Sequence, residues 1–426
     1  MTFNTMELLQ RVGEEIIWIV DTILMFITRY TGIQIVKVDK GELLRKFNEV
    51  LEEDDDVHLS RKWMKPATLY MNAWSGDPNI RPSRLMAIHS QLNSYIENDR
   101  QISKYLKENP SVLQIPIQRP IFIAGLPRTG TTYLLNLLAK DPGNLAPPLW
   151  QLLSSPVPPT LAEDPAKIKS AQFIVDCFMN AESKMKRYAN SLLPDECAIM
   201  LDQTLCGRLG QNLRLGMDDY YQWYNSPDPE VHDTVYRFYK KFLQILAVKQ
   251  GKGSRRYVRK DFGHMARLDS ILKVFPDACI IHPTRNLKSI VGSTSSLYEC
   301  VLKSSHRNPD KHQVANQALN HLSFFTDAFL KFRQEYDHIL TPGSKSQFLD
   351  INYNELVETP MLLVKKIYDC FDMTLTPEAD VAMRDYIKEN PQYKYGRHVY
   401  NLEEYGISER EIQETFEDYV DYFNIQ

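Results

Sequence analysis

Four groups of residues have types and spacings that suit chemistry on an anionic ligand. The first is Gly125-Leu126-Pro127-Arg128-Thr129-Gly130-Thr131-Thr132-Tyr133, between the apolar run Ile121-Phe122-Ile123-Ala124 and Leu134-Leu135-Asn136-Leu137-Leu138. It reads as the turn between a buried strand and a helix. Such a turn aims backbone N–H groups at one point, and the helix dipole adds partial positive charge there. Glycine is scarce, 17 in 426 residues, yet Gly125 and Gly130 both fall in this turn. The second group is Arg285, just after the run Cys279-Ile280-Ile281, with Ser293 about two helical turns further on. An arginine at a strand's carboxyl end offers a bidentate fork to a phosphate, and a serine adds a hydroxyl donor. The third is Lys260 with His264, and the fourth Glu196, in Pro194-Asp195-Glu196. Histidine near its ordinary pKa, or a partly buried glutamate with a raised one, can take a proton from a hydroxyl at neutral pH.

The first turn departs from a nucleotide triphosphatase loop. That loop needs Lys-Ser/Thr after its second glycine, to work with Mg²⁺ on a highly charged β/γ-phosphate. Here Thr131 and Thr132 follow Gly130, and the cation is Arg128. No apolar strand ending in a metal-binding Asp accompanies it. A kinase or other P-loop phosphotransferase is therefore the weaker reading, and a catalytically silent nucleotide- or lipid-binding module is a third.

These groups need a scaffold of strand tips. The pattern predicts strands at 120–124, 257–259, 279–281 and 348–353, each followed by helical periodicity at 131–139, 265–275, 312–336, and 359–371 with 376–388. Alternating strands and helices argue for an α/β fold of three layers, α/β/α, around a central parallel sheet. Residues 1–115 carry helical spacing only, at 42–55 and 81–106 above all, and form a helical N-terminal extension on the core. Residues 116–426 form the α/β domain, with a helical insertion at about 145–250 that has amphipathic stretches at 165–189 and 229–250. The end of the chain reads as a polar segment.

The order of motifs resembles the broad sulfotransferase family, largely bacterial with scattered eukaryotic members. The resemblance runs from about Pro120 to Phe423. It rests on the 125–133 loop, Leu193-Pro194-Asp195-Glu196, Lys260-Asp261-Phe262-Gly263-His264, Val274-Phe275-Pro276-Asp277-Ala278, and Arg285 with Ser293. Asn352-Tyr353-Asn354-Glu355-Leu356 and Tyr395-Gly396-Arg397-His398-Val399-Tyr400 complete it. One departure stands at Asp261-Phe262, where relatives often carry Ser-Pro. The resemblance implies a P-loop-like fold and 3′-phosphoadenosine 5′-phosphosulfate as sulfuryl donor, with no metal required. It places Arg128, Thr129, Gly130, Thr131 and Thr132 on the 5′-phosphosulfate, Tyr133 on adenine, and Arg285 and Ser293 on the 3′-phosphate. Gly396 and Arg397 would close over the nucleotide, unless they belong to a surface loop. Arg128 and Lys260 would meet the charge that spreads during transfer. The base would be His264 or Glu196, each of which also has an ordinary structural use: core histidine or helix cap for the first, first-turn helix carboxylate for the second. Tyr133 would look the same as a core residue.

Composition bounds the partners. The net charge of −4 argues against a general nucleic-acid binder. Six scattered cysteines without a Cys-x-x-Cys pair indicate neither a zinc site nor a disulfide framework, which fits reduced thiols in the cytoplasm. Tyr220, Tyr221, Trp223, Tyr224 and Trp150 either wall an apolar acceptor pocket or belong to the core. They favour a hydrophobic small-molecule or lipid hydroxyl as acceptor. Near the N-terminus, Ile16, Ile17, Val20, Ile23, Leu24 and Ile27 form one wide apolar helix face, interrupted by Asp21. The run is too short to span a bilayer, and Glu14-Glu15 precede it where a signal peptide carries positive charge. The expected use of that face is to cap the domain's own core; the alternative is a peripheral membrane contact.

Overall fold

The computed structural model describes residues 3–32, 35–36, 39–53, 65–66, 68–73, 80–160, 163–179, 190–195, 218–225, 229–249, 255–303, 306, 309–339, 346–391 and 401–425. Five strands form its centre: β1 (Ile121–Ile123), β2 (Asn144–Leu145), β3 (Arg256–Lys260), β4 (Cys279–Thr284) and β5 (Phe348–Asn352). They lie in the order β2-β3-β1-β4-β5, and every pairing is parallel. The register sets Ile123 beside Lys260 on one side and beside Ile281 on the other. The carboxyl ends of β3, β1 and β4 therefore stand next to one another.

Helices α1 (Phe3–Thr31), α2 (Lys40–Glu53) and α3 (Pro82–Glu108) precede β1. Then come α4 (Thr131–Leu138), α5 (Leu149–Leu153), α6 (Pro165–Met179), α7 (Asp218–Asn225) and α8 (Pro229–Ala247). Next are α9 (Leu268–Val274), α10 (Leu287–Lys303) and α11 (Lys311–Ile339), and after β5 α12 (Tyr353–Glu358), α13 (Pro360–Cys370), α14 (Pro377–Glu389) and α15 (Glu409–Tyr422). Strand side chains alternate between faces. Ile121, Ile123, Val258 and Ile281 pack with Leu134, Leu138, Leu356, Val364 and Met383 on one side. Phe122, Tyr257 and Ile280 pack with Phe242, Val291, Phe329 and Phe416 on the other. The result is the three-layer α/β/α arrangement, and α2 and α3 add Leu43, Leu85 and Leu92 to the second core.

The expected helix over 265–275 is two pieces. Asp261 accepts from the Gly263 N–H at 2.6 Å and starts a tight turn at Phe262–Ala266; α9 begins only after Arg267. Tyr353 opens α12 rather than closing β5, because Asn352 and Glu355 form a capping box there. The C-terminal segment is not merely polar. Ser408 caps α15 by accepting from the Glu411 N–H at 3.1 Å, and Ile412, Phe416 and Tyr419 bury one stripe of that helix.

That stripe meets β4 through a polar cluster. His282 is fully buried; its Nδ1 lies 2.9 Å from Asp350 Oδ1 and its Nε2 2.6 Å from the Tyr419 hydroxyl. An ionised carboxylate only accepts, so Nδ1–H donates to it and Nε2 accepts from Tyr419. Arg333 grips the same carboxylate at 2.8 and 3.0 Å. Burial first, then the Arg333 charge, pushes His282 below its ordinary pKa although Asp350 opposes this.

The expected role of the N-terminal helix is met only in part: of its apolar face, Leu24 and Ile27 are partly buried and the other four side chains are exposed. Asp21, which breaks the apolar run, is the buried residue, and it accepts from the Ser83 N–H at 2.8 Å and the Ser83 hydroxyl at 2.6 Å. Ile16, Ile17, Val20 and Ile23 are about half exposed. The helix is tied to α3 by its carboxylate, so those side chains do not cap the core.

Candidate active site

The loop between β1 and α4 is shaped by two tight passages. At Gly125 a Cβ would stand 2.7 Å from Pro283 Cδ of β4, so only glycine lets the loop cross so close to the neighbouring strand. At Gly130 the backbone is left-handed, φ 83°, and a Cβ would meet Leu356 at 2.8 Å. Arg128 is also left-handed, φ 70°, an unusual state for a residue with a side chain. Thr129 is fully buried and donates its hydroxyl to the Leu126 carbonyl at 2.7 Å. Its side chain therefore folds the loop. Thr131 is buried at the start of α4, and Thr132 is exposed.

Two cationic groups flank this helix start. On the β3 side, Lys260 is 3 % exposed and donates to Thr132 Oγ1 at 2.8 Å. Asp195 Oδ1 is 3.7 Å from the same ammonium. On the β4 side, Arg285 donates to the Arg128 carbonyl at 2.6 Å, and its guanidinium lies 4.1 Å from the centre of the Tyr353 ring. Arg128 Nε donates to Ser293 Oγ at 2.8 Å. Arg128, Arg285 and Ser293 are thus one cluster. Arg128, expected at the 5′-phosphosulfate, leans its side chain toward Ser293 of α10.

The sequence assigns Asp195 no role beyond its motif. Its short segment is pinned from two sides: Asn136 of α4 donates to the Pro194 carbonyl at 3.2 Å, and the Leu149 N–H to the Leu193 carbonyl at 2.9 Å. Leu192 and Leu193 beside it remain about half exposed. The signal that could have singled it out is an acidic residue beside a motif lysine, but their pairing spans 65 positions and needs the fold.

Other candidates lie elsewhere. His264 has no exposed surface; its Nδ1 is 2.8 Å from the Tyr236 hydroxyl, and its ring meets Phe122 edge-on at 5.0 Å. It occupies the place of a core histidine. Tyr133 has the ring of Tyr386 as neighbour, at 5.5 Å, and burial pushes its hydroxyl pKa up. Trp150 and Tyr220 are buried, and Trp223 packs on Tyr220 at 5.7 Å. The side chains of Tyr221 and Tyr224, and Glu196, Gly396 and Arg397 as a whole, lie outside the described residues. Among the described residues no three His, Cys, Asp or Glu side chains gather as a metal site.

The fold that carries these groups has known counterparts. The chain is similar to sulfotransferase STF9 from Mycobacterium avium, at 24 % identity and a TM-score of 0.75, over 91 % of this chain and 97 % of that one. It is also similar to sulfotransferase STF1 from Mycobacterium tuberculosis, at 22 % identity and a TM-score of 0.68, over 87 % and 97 %. At these identities the likeness speaks for the fold. No match was found among curated proteins. The model of the sulfotransferase family matches residues 120–377, which include the loop, Asp195, Lys260, Arg285 and Ser293. With more than half of its length matched, including the two cationic groups at neighbouring strand tips, this chain belongs to the sulfotransferase family.

Proposed function

We propose that the protein transfers a sulfuryl group from 3′-phosphoadenosine 5′-phosphosulfate to the hydroxyl of a hydrophobic small molecule or lipid in the cytoplasm, without a metal. The observation that carries this is the pair of cationic groups around one helix N-terminus, Lys260 with Thr132 and Arg285 with Arg128 and Ser293. Their placement suits a ligand with phosphates at both ends. In this reading residues 116–426 carry the chemistry, with 145–250 as an insertion, and 1–115 are an accessory extension.

The acceptor oxygen attacks sulfur, and the bond from sulfur to the bridging oxygen of the 5′-phosphate breaks. The products are a sulfate ester and adenosine 3′,5′-bisphosphate. A sulfuryl group carries a single negative charge, so donors and fixed cations can stabilise the transition state. The N–H groups of the 129–133 turn and the Thr131 and Thr132 hydroxyls hold the 5′-phosphate, Arg285 and Ser293 the 3′-phosphate, and Arg397 with Gly396 closes over the nucleotide. Tyr133 stacks on adenine. Lys260 and Arg128 meet the charge on the leaving oxygen.

For the acceptor proton, Glu196 is preferred to His264. Its neighbour Asp195 stands beside Lys260, whereas a substrate hydroxyl has no open approach to His264. Leu192 and Leu193, half exposed on the same segment, support an apolar acceptor. Glu196→Ala should abolish turnover while adenosine 3′,5′-bisphosphate still binds; near-normal kcat in both Glu196→Ala and His264→Ala overturns the assignment. Calorimetry tests the donor. Adenosine 3′,5′-bisphosphate should bind without metal and outcompete ATP with Mg²⁺, and the reverse preference favours a phosphotransferase. Transfer of radiolabelled sulfate to a panel of sterols, phenols and lipid alcohols identifies the acceptor.

A further inference from the structure

The exposed apolar residues of the described chain are concentrated on α1. Ile16, Ile19, Val20, Ile23, Phe26 and Tyr30 are each about half exposed or more, Phe26 60 % and Tyr30 73 %. Their spacing of i, i+3, i+4, i+7, i+10 and i+14 places them on one side of the helix, a stripe about 21 Å long at 1.5 Å per residue. Phe26 and Tyr30 pack ring on ring at 4.3 Å within it. The opposite side holds Asp21, which is bound to Ser83 of α3 and fixes the roll of the helix; Ile17 and Trp18, also about half exposed, lie outside the stripe, toward the Asp21 side near Ile16. The stripe is turned outward by a buried polar bond and cannot be rolled inward without breaking it.

We propose that this stripe docks the protein on the surface of a lipid bilayer, with α1 lying in the plane of the interface. Three observations select the bilayer over a protein partner. Between Ile16 and Thr28 the single charge is that of Asp21, which faces inward, so this stretch presents no charge for a partner to complement. The hydroxyls of Thr22, Thr28 and Thr31 donate to the Trp18, Leu24 and Ile27 carbonyls at 2.8, 2.9 and 2.7 Å, so these side chains spend their protons within the helix. A protein interface wants a polar rim and about 20–30 residues a side, more than a six-residue stripe supplies. A hydrocarbon boundary asks for neither, and aromatic rings such as those of Phe26 and Tyr30 suit it. Among the described residues no helix is long and apolar enough to cross a membrane, which leaves lying on its surface. The attraction is apolar, so zwitterionic lipid suffices and salt does not weaken it.

The test is flotation of the full-length protein with phosphatidylcholine vesicles, with and without half-molar salt and without any sulfuryl donor, so its failure is separate from failure of the transfer reading. The protein should float at both salt levels, and the triple variant Ile19→Ser, Ile23→Ser, Phe26→Ser should lower the partition coefficient at least ~100-fold. Calorimetric binding of adenosine 3′,5′-bisphosphate or an unchanged circular dichroism spectrum certifies that the variant is folded; if it is not, Ile23→Asp alone should still cost about tenfold. The proposal is overturned if the wild type stays in the aqueous fraction, if salt releases it, or if the folded triple variant floats as well as the wild type. It is equally overturned if sedimentation velocity shows a dimer that the triple variant abolishes while vesicles are ignored, since a second copy is then the occupant.

Discussion

At the tip of β1 each turn of the chain is held from several sides. Gly125 is pressed against Pro283, Gly130 against Leu356, the Arg128 carbonyl is bound by Arg285, its side chain by Ser293, and Thr132 by Lys260. At α1, a helix of 29 residues, the described polar attachment to α3 is one carboxylate on one serine. Both regions are rich in apolar residues, and both begin as a plain periodic signal. The difference lies in independent constraints: three adjacent parallel strands converge on the loop, whereas the hydrogen bonds described between α1 and α3 all run through Asp21 and Ser83. A region held many ways can tolerate strained backbone and present a defined ligand geometry; one held one way can present a surface.

Substitutions should separate the two regions. The largest effect is expected at Arg285. Arg285→Ala removes the bond to Arg128 and the stack on Tyr353, and should weaken adenosine 3′,5′-bisphosphate binding by roughly 100-fold or more, since charge-assisted bonds contribute about 1.5–3 kcal/mol each. Arg285→Lys should recover little, because an ammonium lacks the planar fork; calorimetry with full recovery would show that charge alone suffices.

Gly130→Ala comes next. It combines the left-handed backbone with the 2.8 Å approach to Leu356, and should lower unfolding stability by about 2–3 kcal/mol in urea titrations. Asp21→Ala should cost about 1–2 kcal/mol locally, because it leaves the Ser83 donors unpaired. It should raise hydrogen exchange in α1 while leaving the β1 and β4 amides protected. If Asp21→Ala loosens the strand tips as much as Gly130→Ala does, the contrast between the regions fails.

The smallest effect is a pH dependence behind β4. Burial pushes the Asp350 carboxyl up, but hydrogen bonds from His282 and Arg333 outweigh it and hold the pKa at about 2. The folded value lies below the unfolded ~3.9, so this contribution is complete above about pH 4 and disappears as the pH falls toward 2. Asp350→Asn should flatten that part of the stability–pH curve in urea titrations; an unchanged slope would assign the acid loss to other carboxylates.

The parallel sheet and the β1 loop were legible because their signals are local. A strand shows as a short apolar run, a tight turn as glycine at a set offset, a helix as 3.6-residue spacing. Helix α15 was less legible because its first turns are acidic; the Ser408 cap and the spacing of Ile412, Phe416 and Tyr419 are its only plain signals. The Lys260–Asp195 pair, the burial of His264 under Phe122 and the engagement of Arg128 with Ser293 were not legible, since each joins residues far apart in the chain.

Sequence by itself determined the α/β class, the order of the strands' loops and helices along the chain, and the residue types available to meet an anion. Those properties follow from backbone conformational preference and from apolar periodicity, which act over a few residues. The tertiary structure decided which strand tips became neighbours, which histidine was enclosed, and which side of α1 faced outward. Such choices depend on competition for burial between distant segments, and at α1 a buried carboxylate with its serine partner prevailed over the wider apolar face.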